Sequence, residues 1–168
     1  MPIVPILLWD ASALVKRYSV ELGREIVNAF FTISPRPGMV TSFWAYTETY
    51  AILVRKKNDG RIAATDFTAA VSALHKEVLA ADDFELISID DETALNSIPI
   101  IVKHNLNSAD AAFLTSCLQY TREFHAGQTC VLLASDKRLI RAARSEGLAV
   151  LNPEAVVHAD LPNVLATL

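Results

Sequence analysis

Four short, continuous apolar runs separated by long stretches of helical periodicity constrain this chain more than any other feature. They are PIVPILLW at 2–9, FELISI at 84–89, TCVLLAS at 129–135 and LAVLN at 148–152, with a shorter strand expected around Met39-Val40-Thr41. A strand that is apolar without alternation is covered on both faces. Connections of ten or more helix-forming residues between such strands imply right-handed crossovers and parallel pairing. The expected fold class is therefore α/β, a three-layer α/β/α sandwich with a central mainly parallel sheet.

The intervening segments divide readily. Helical spacing runs from 12 to about 18 and again over 21–31, and SPRPG then forces a loop. A helix begins near Ser42, a suitable N-cap, carries Glu48 and ends near 57, where NDG interrupts it. A long helix over 62–80 has Phe67, Val71, Leu74 and Val78 on one face. Another spans 91–104, with Pro99 able to kink or split it. Asn107 or Ser108 caps a helix reaching about 120, and a last helix covers 136–146 before Gly147 ends it. The 168 residues read as one domain, 1–168, with no internal repeat.

Composition narrows the classes. The sequence is 52% hydrophobic and 20% charged, which suits a packed globular chain and not a disordered one. No apolar run approaches the roughly 18 residues of a bilayer span, so no membrane association is expected. The opening run lacks a basic flank and a small-residue cleavage site, so it reads as a strand and not a signal peptide. Cys117 and Cys130 lack CxxC spacing and are expected as buried thiols in a reducing, cytoplasmic setting. His75, His104, His125 and His158 show no ligand spacing and read as surface or helix-end residues.

Four acids stand out by position. Asp10 and Asp136 each follow an apolar strand directly, at the carboxyl edge where ligands collect in an open parallel sheet. Glu48 shares a helix face with Trp44 and Ile52, and Asp110 opens the otherwise apolar NSADAAFLTSCL. Each has a simpler role available: Asp10 and Asp136 as N-caps, Asp110 as a first-turn acid, Glu48 as a partner of Arg55 or Lys56. Jointly they suit a hard divalent cation that takes oxygen ligands and keeps several waters. Phe30-Phe31, Phe43-Trp44 and Tyr46 exceed what one small core readily hides, which points to a homodimer.

These segments resemble the motifs of PIN domains in order along nearly the whole chain. WDASALVKRY resembles the opening strand–Asp–x–Ser motif, and TSFWAYTETYAILVR the helix bearing the family's Glu. LNSADAAFLTSC resembles the third motif, and LLASDKRLIRAARSEGLAVLNPE the final Asp, basic helix and strand. The compact form is most similar to the VapC-type toxins of toxin–antitoxin pairs. The resemblance implies a Mg²⁺- or Mn²⁺-dependent endoribonuclease that leaves a 5′-phosphate and a 3′-hydroxyl. Asp10, Glu48, Asp110 and Asp136 would form its acidic metal cluster, with Ser12 and Ser135 orienting the carboxylates. An antitoxin protein would be the partner and RNA the substrate. The segment 58–83 is longer than the most compact relatives need.

A formal charge of −4 is unusual for a nucleic-acid partner, but setting aside the four proposed ligands brings it to zero. Basic residues cluster at Lys16-Arg17, Arg55-Lys56-Lys57, Lys103-His104, and Lys137-Arg138 with Arg141 and Arg144. Of these, Lys16, Arg17, Lys137 and Arg138 lie next to the acids and are candidates to hold RNA phosphates. An aspartyl phosphatase is disfavoured because Ser12 stands where its second acid belongs. A non-catalytic module of the same fold remains an alternative. A nucleotide-binding domain lacks both GxGxxG and GxxxxGK[ST].

Overall fold

The computed structural model describes residues 4–124, 127–160 and 163–164. Strands β1 (Ile6–Trp9), β2 (Gly38–Ser42), β3 (Phe84–Ile87), β4 (Cys130–Leu133) and β5 (Ala149–Leu151) form one sheet in the order β3-β2-β1-β4-β5. Every pairing is parallel. Strand β1, first in the chain, lies at the centre, with Trp9 in register with Thr41 of β2 and Leu133 of β4.

Side-chain alternation explains why β1 had to be apolar throughout. Ile6 and Leu8 enter a core with Leu114, Leu132 and Leu139, whereas Leu7 and Trp9 enter another with Phe30, Leu74 and Leu133. Helices α1 (Ala11–Leu14), α2 (Arg24–Thr32) and α4 (Ala64–Leu74) cover the second face. Helices α7 (Ser108–Phe124) and α8 (Lys137–Ser145) cover the first, with α5 (Asp91–Asn96) and α6 (Ile98–His104) packed against them. Helix α3 (Phe43–Asn58) contributes Ala45 to one core and Leu53 to the other. The expected three-layer α/β/α sandwich is the observed one.

Several local expectations change. The first helix tightens into a 3-10 turn over Val15–Arg17, and the one expected over 62–80 ends in a π-helical turn over His75–Leu79. The segment 91–104 splits at Ser97, just before Pro99, because proline fits the first turn of α6 and not the middle of a longer helix. Phe30 and Phe31 are not surplus surface aromatics. Both rings pack on Trp9, at centroid separations of 6.2 and 5.4 Å. Cys117 and Cys130 are buried and unbridged. His75 is exposed at a helix junction, whereas His104 is half-buried against Glu146; His125 and the side chain of His158 lie outside the described residues.

The end of the described chain is fastened back to its beginning. Lys16 is only 1% exposed, and its Nζ pairs with Glu154 at 2.7 Å and with Glu21 at 3.3 Å. Gly23 makes this approach possible. At φ +85° it sits so close to Pro153 that an added Cβ would lie 2.8 Å from the Pro153 carbonyl carbon. Gly147 has a similar φ of +84° but open space around it. Gly147→Ala should therefore cost about 1–2 kcal/mol from the left-handed backbone alone. Gly23→Ala should cost a further 1–3 kcal/mol or so from overpacking. Urea denaturation of the two variants checks this, and equal losses would refute it.

Candidate active site

The strand order changes direction between β1 and β4, and the crevice outside their carboxyl ends is where Asp10 and Asp136 emerge. The Asp10 amide donates to the Leu133 carbonyl at 3.0 Å, which holds the two strand ends together. Thr41 Oγ1 donates to the Trp9 carbonyl at 2.7 Å, tying in β2 as well.

Ser12 is the hinge of this arrangement. Its hydroxyl donates to Asp10 Oδ2 and accepts from the amides of Ser135 at 2.9 Å and Asp136 at 3.2 Å. The Ser12 amide also donates to Asp10 Oδ2, at 2.9 Å. Ser135 takes part through its amide; its own hydroxyl turns away to Asn152 Oδ1 at 3.2 Å. Asp136 caps α8, its Oδ1 accepting from the amides of Arg138 and Leu139 at 2.8 and 2.9 Å. The simple capping roles of Asp10 and Asp136 are thus real, and each engages a single carboxylate oxygen in the bonds named.

Asp110 is brought in by α7. Asn107 caps that helix, its Oδ1 accepting from the Asp110 amide at 2.9 Å while its Nδ2 donates to Asp110 Oδ2 at 2.7 Å. This reciprocal grip makes Asn107 a positioning residue that a reading of acids alone misses; its signal is an Asn three residues before an acid at a helix start. Glu48 reaches the crevice from α3. The face buried by α3 runs through Ala45, Thr49 and Leu53, so Glu48 stands at its margin and is exposed, not enclosed as Trp44 and Ile52 had suggested.

The acids sense one another. Burial, with Glu48 nearby, pushes the Asp10 carboxyl up to about 6 against the hydrogen bonds from Ser12. Partial burial and the charges of Asp10 and Asp136 raise Asp110 to about 6. Glu48 is raised by desolvation and by Asp110 and Asp136, with Arg55 opposing. None of the four is in an ion pair among the described residues. Carboxylates that repel one another and have no ion-pair partner among the described residues form a donor set suited to a hard divalent cation. They are not a closed cage: among the described residues no three His, Cys, Asp or Glu side chains group tightly enough to hold a metal ion unaided.

Solved structures share this architecture. VapC20 of Mycobacterium tuberculosis, titled a sarcin-ricin loop cleaving toxin, aligns with a TM-score of 0.58 at 16% identity, over 81% of this chain and 94% of its own. PAE2754 of Pyrobaculum aerophilum aligns with a TM-score of 0.60 at 19% identity, over 98% of this chain and 97% of its own. A toxin–antitoxin complex from Klebsiella pneumoniae aligns with a TM-score of 0.56 at 17% identity, over 89% and 99%. This chain has the VapC-type fold. No family model matches the sequence, and no curated protein matches it by sequence alone.

Within the VapC-type fold, the basic residues near the acids separate into two kinds. Lys16 and Arg17 are not surface cations aimed at a ligand. Lys16 is buried in its ion pairs with Glu21 and Glu154, and Arg17 grips Glu77 at 3.0 and 2.8 Å and Asn28 at 2.9 Å. Lys56 is also taken, by Glu21 at 2.9 Å, so it does not pair with Glu48. Lys137 and Arg138 are exposed at the start of α8, immediately beyond Asp136.

The raised Asp110 carboxyl makes a signed prediction. A folded-state value near 6, above the ordinary 3.8, means the folded protein binds this proton more tightly than the unfolded chain. The ionised group therefore destabilises the cation-free fold above about pH 6, and the penalty fades as pH falls toward 4. Asp110→Asn keeps the acceptor for Asn107 and removes the charge. It should raise the urea midpoint at pH 7 and leave it nearly unchanged at pH 4, whereas a merely structural cap would show a loss at pH 7.

Proposed function

We propose that this chain is a divalent-cation-dependent endoribonuclease acting as the toxin of a toxin–antitoxin pair. The observation that carries the reading is the set of four neighbouring carboxylates, in no ion pair among the described residues, at the β1/β4 crevice of a VapC-type fold. A related fold carrying a toxin titled for cleaving the sarcin-ricin loop favours RNA as the substrate.

Asp10, Glu48, Asp110 and Asp136 would hold Mg²⁺ or Mn²⁺, directly or through its water shell. When bound, the cation supplies Lewis-acid stabilisation of charge developing on the scissile phosphate. The chain's own groups do the rest. Ser12 fixes the Asp10 carboxylate and the Asp136 backbone in one frame, and Asn107 fixes Asp110. A carboxylate of this set left free of the cation would accept the proton of the attacking water. Lys137 and Arg138, exposed just beyond Asp136, would hold an adjacent phosphate. An inhibiting antitoxin would place a basic side chain among the acids, taking the electrostatic role of the cation.

The test is incubation with total RNA, with Mg²⁺ or Mn²⁺ and with a chelator, followed by mapping of new 5′ ends. Cleavage should need the cation, and Asp110→Asn should slow it by about 10²-fold or more, as when one transition-state-stabilising group is lost. Undiminished cutting in chelator, or by Asp110→Asn, would sink the proposal.

Self-association belongs to the same reading. Phe43 and Trp44 are 44% and 45% exposed at the start of α3, although Phe30 and Phe31 no longer count toward it. Sedimentation at micromolar concentration should give a dimer, and a clean monomer refutes it.

A further inference from the structure

Helix α8 has a charge arrangement that the acidic cluster does not use. Its buried side is Leu139, Ile140, Ala142 and Ala143, and its exposed side is basic apart from Ser145: Lys137, Arg138, Arg141 and Arg144 are all exposed. Among the described residues none of these four is in an ion pair. Two acids close in sequence to the helix end and the groove, Glu146 and Glu154, are committed elsewhere. Glu146 is held by Lys103 at 2.8 Å and His104 at 2.6 Å, and Glu154 by the buried Lys16. A chain of net charge −4 thus keeps a positive ridge with no ion pair among the described residues, and the ridge begins one residue after Asp136.

The ridge borders a groove. Lys137, Arg141 and Arg144 line an open groove of about 400 Å³ with Ile140, Asn152 and Ala155. Their i, i+4, i+7 spacing sets roughly one cation per turn, about 5.4 Å of rise. Asn152 adds a neutral donor: its Oδ1 accepts from Ser135 Oγ and the Glu154 amide, so Nδ2 is the end left for a ligand. Ser135 itself bonds to Ser12, so the groove is mechanically continuous with the acidic crevice.

We propose that this groove is a phosphate track, along which the backbone of a single-stranded RNA runs out from the cut site over Lys137, Arg141 and Arg144. The proposal rests on the ribonuclease reading of the acids and adds where the substrate lies beyond the scissile bond. Guanidinium groups at regular spacing suit a polyanion read by charge and not by base identity.

The experiment measures binding, with cleavage blocked by chelator. The intact chain and Arg141→Gln/Arg144→Gln are titrated with a labelled 20-nucleotide single-stranded RNA at several KCl concentrations. A control, Lys76→Gln/Arg122→Gln, removes the same charge from α7 and the π-helical turn. Each backbone contact contributes about 0.7 to the slope of log affinity against log salt, so losing two should flatten it by about 1.4. The track variant should also bind at least about tenfold more weakly at moderate salt, with the control near the unmodified protein. Equal slopes for the track variant and the control overturn the proposal. So does displacement of RNA by an acidic polypeptide as effective as unlabelled RNA, which makes the face a protein-docking surface. If the slope falls as stated but the cation-loaded protein cuts no RNA, the track stands and the nuclease reading fails.

Discussion

One hydroxyl group joins the two halves of this molecule's chemistry. Ser12 Oγ uses its proton on Asp10 and its lone pairs on the amides of Ser135 and Asp136, exhausting the bonding capacity of a serine oxygen. The first acid, the last acid and the strand ends beneath them are therefore set relative to one another by a single atom. Because β1 is central and paired on both sides, that atom is anchored in the stiffest part of the sheet. The precision of the crevice is inherited from the core.

The chain treats charge in two opposite ways. Around Lys16 every ionised group has a partner, with Glu21 shared between Lys16 and Lys56 and Glu154 completing the set. Such pairing lets a lysine be buried, and its effect is to hold distant segments together. At the crevice the carboxylates are gathered without ion pairs among the described residues, and burial raises Asp10 and Asp110 toward neutrality. An arrangement that weakens the fold locally is kept where it can be relieved only by something from outside.

Much of this was legible in the sequence because its cues were local. Unbroken apolarity marked the strands, the acids directly after PILLW and VLLAS marked the sheet edge, and Pro99 marked the break between α5 and α6. What escaped was set by distance or by rotation. Lys16 and Glu154 are 138 residues apart, so no window of sequence reveals that the lysine is buried and spoken for. Glu48 was expected to be flanked by apolar groups, but the buried face of α3 is turned by one residue, about 100°. Phe30 and Phe31 looked like surplus because the breadth of the Trp9 side chain they cover is apparent only in three dimensions.

The position of β1 also has a consequence in time. It is the first strand to be synthesised, yet one of its neighbours is β4, which begins at Cys130. Ser12 can grip Asp10 locally, but it joins the far side of the crevice only when that late strand pairs, since the amides of Ser135 and Asp136 follow it. Contacts of such long sequence separation form late and cooperatively. A growing chain on the ribosome therefore carries the acids of the crevice without the crevice. The crevice is complete only once β4 and the residues just after it have been made and paired.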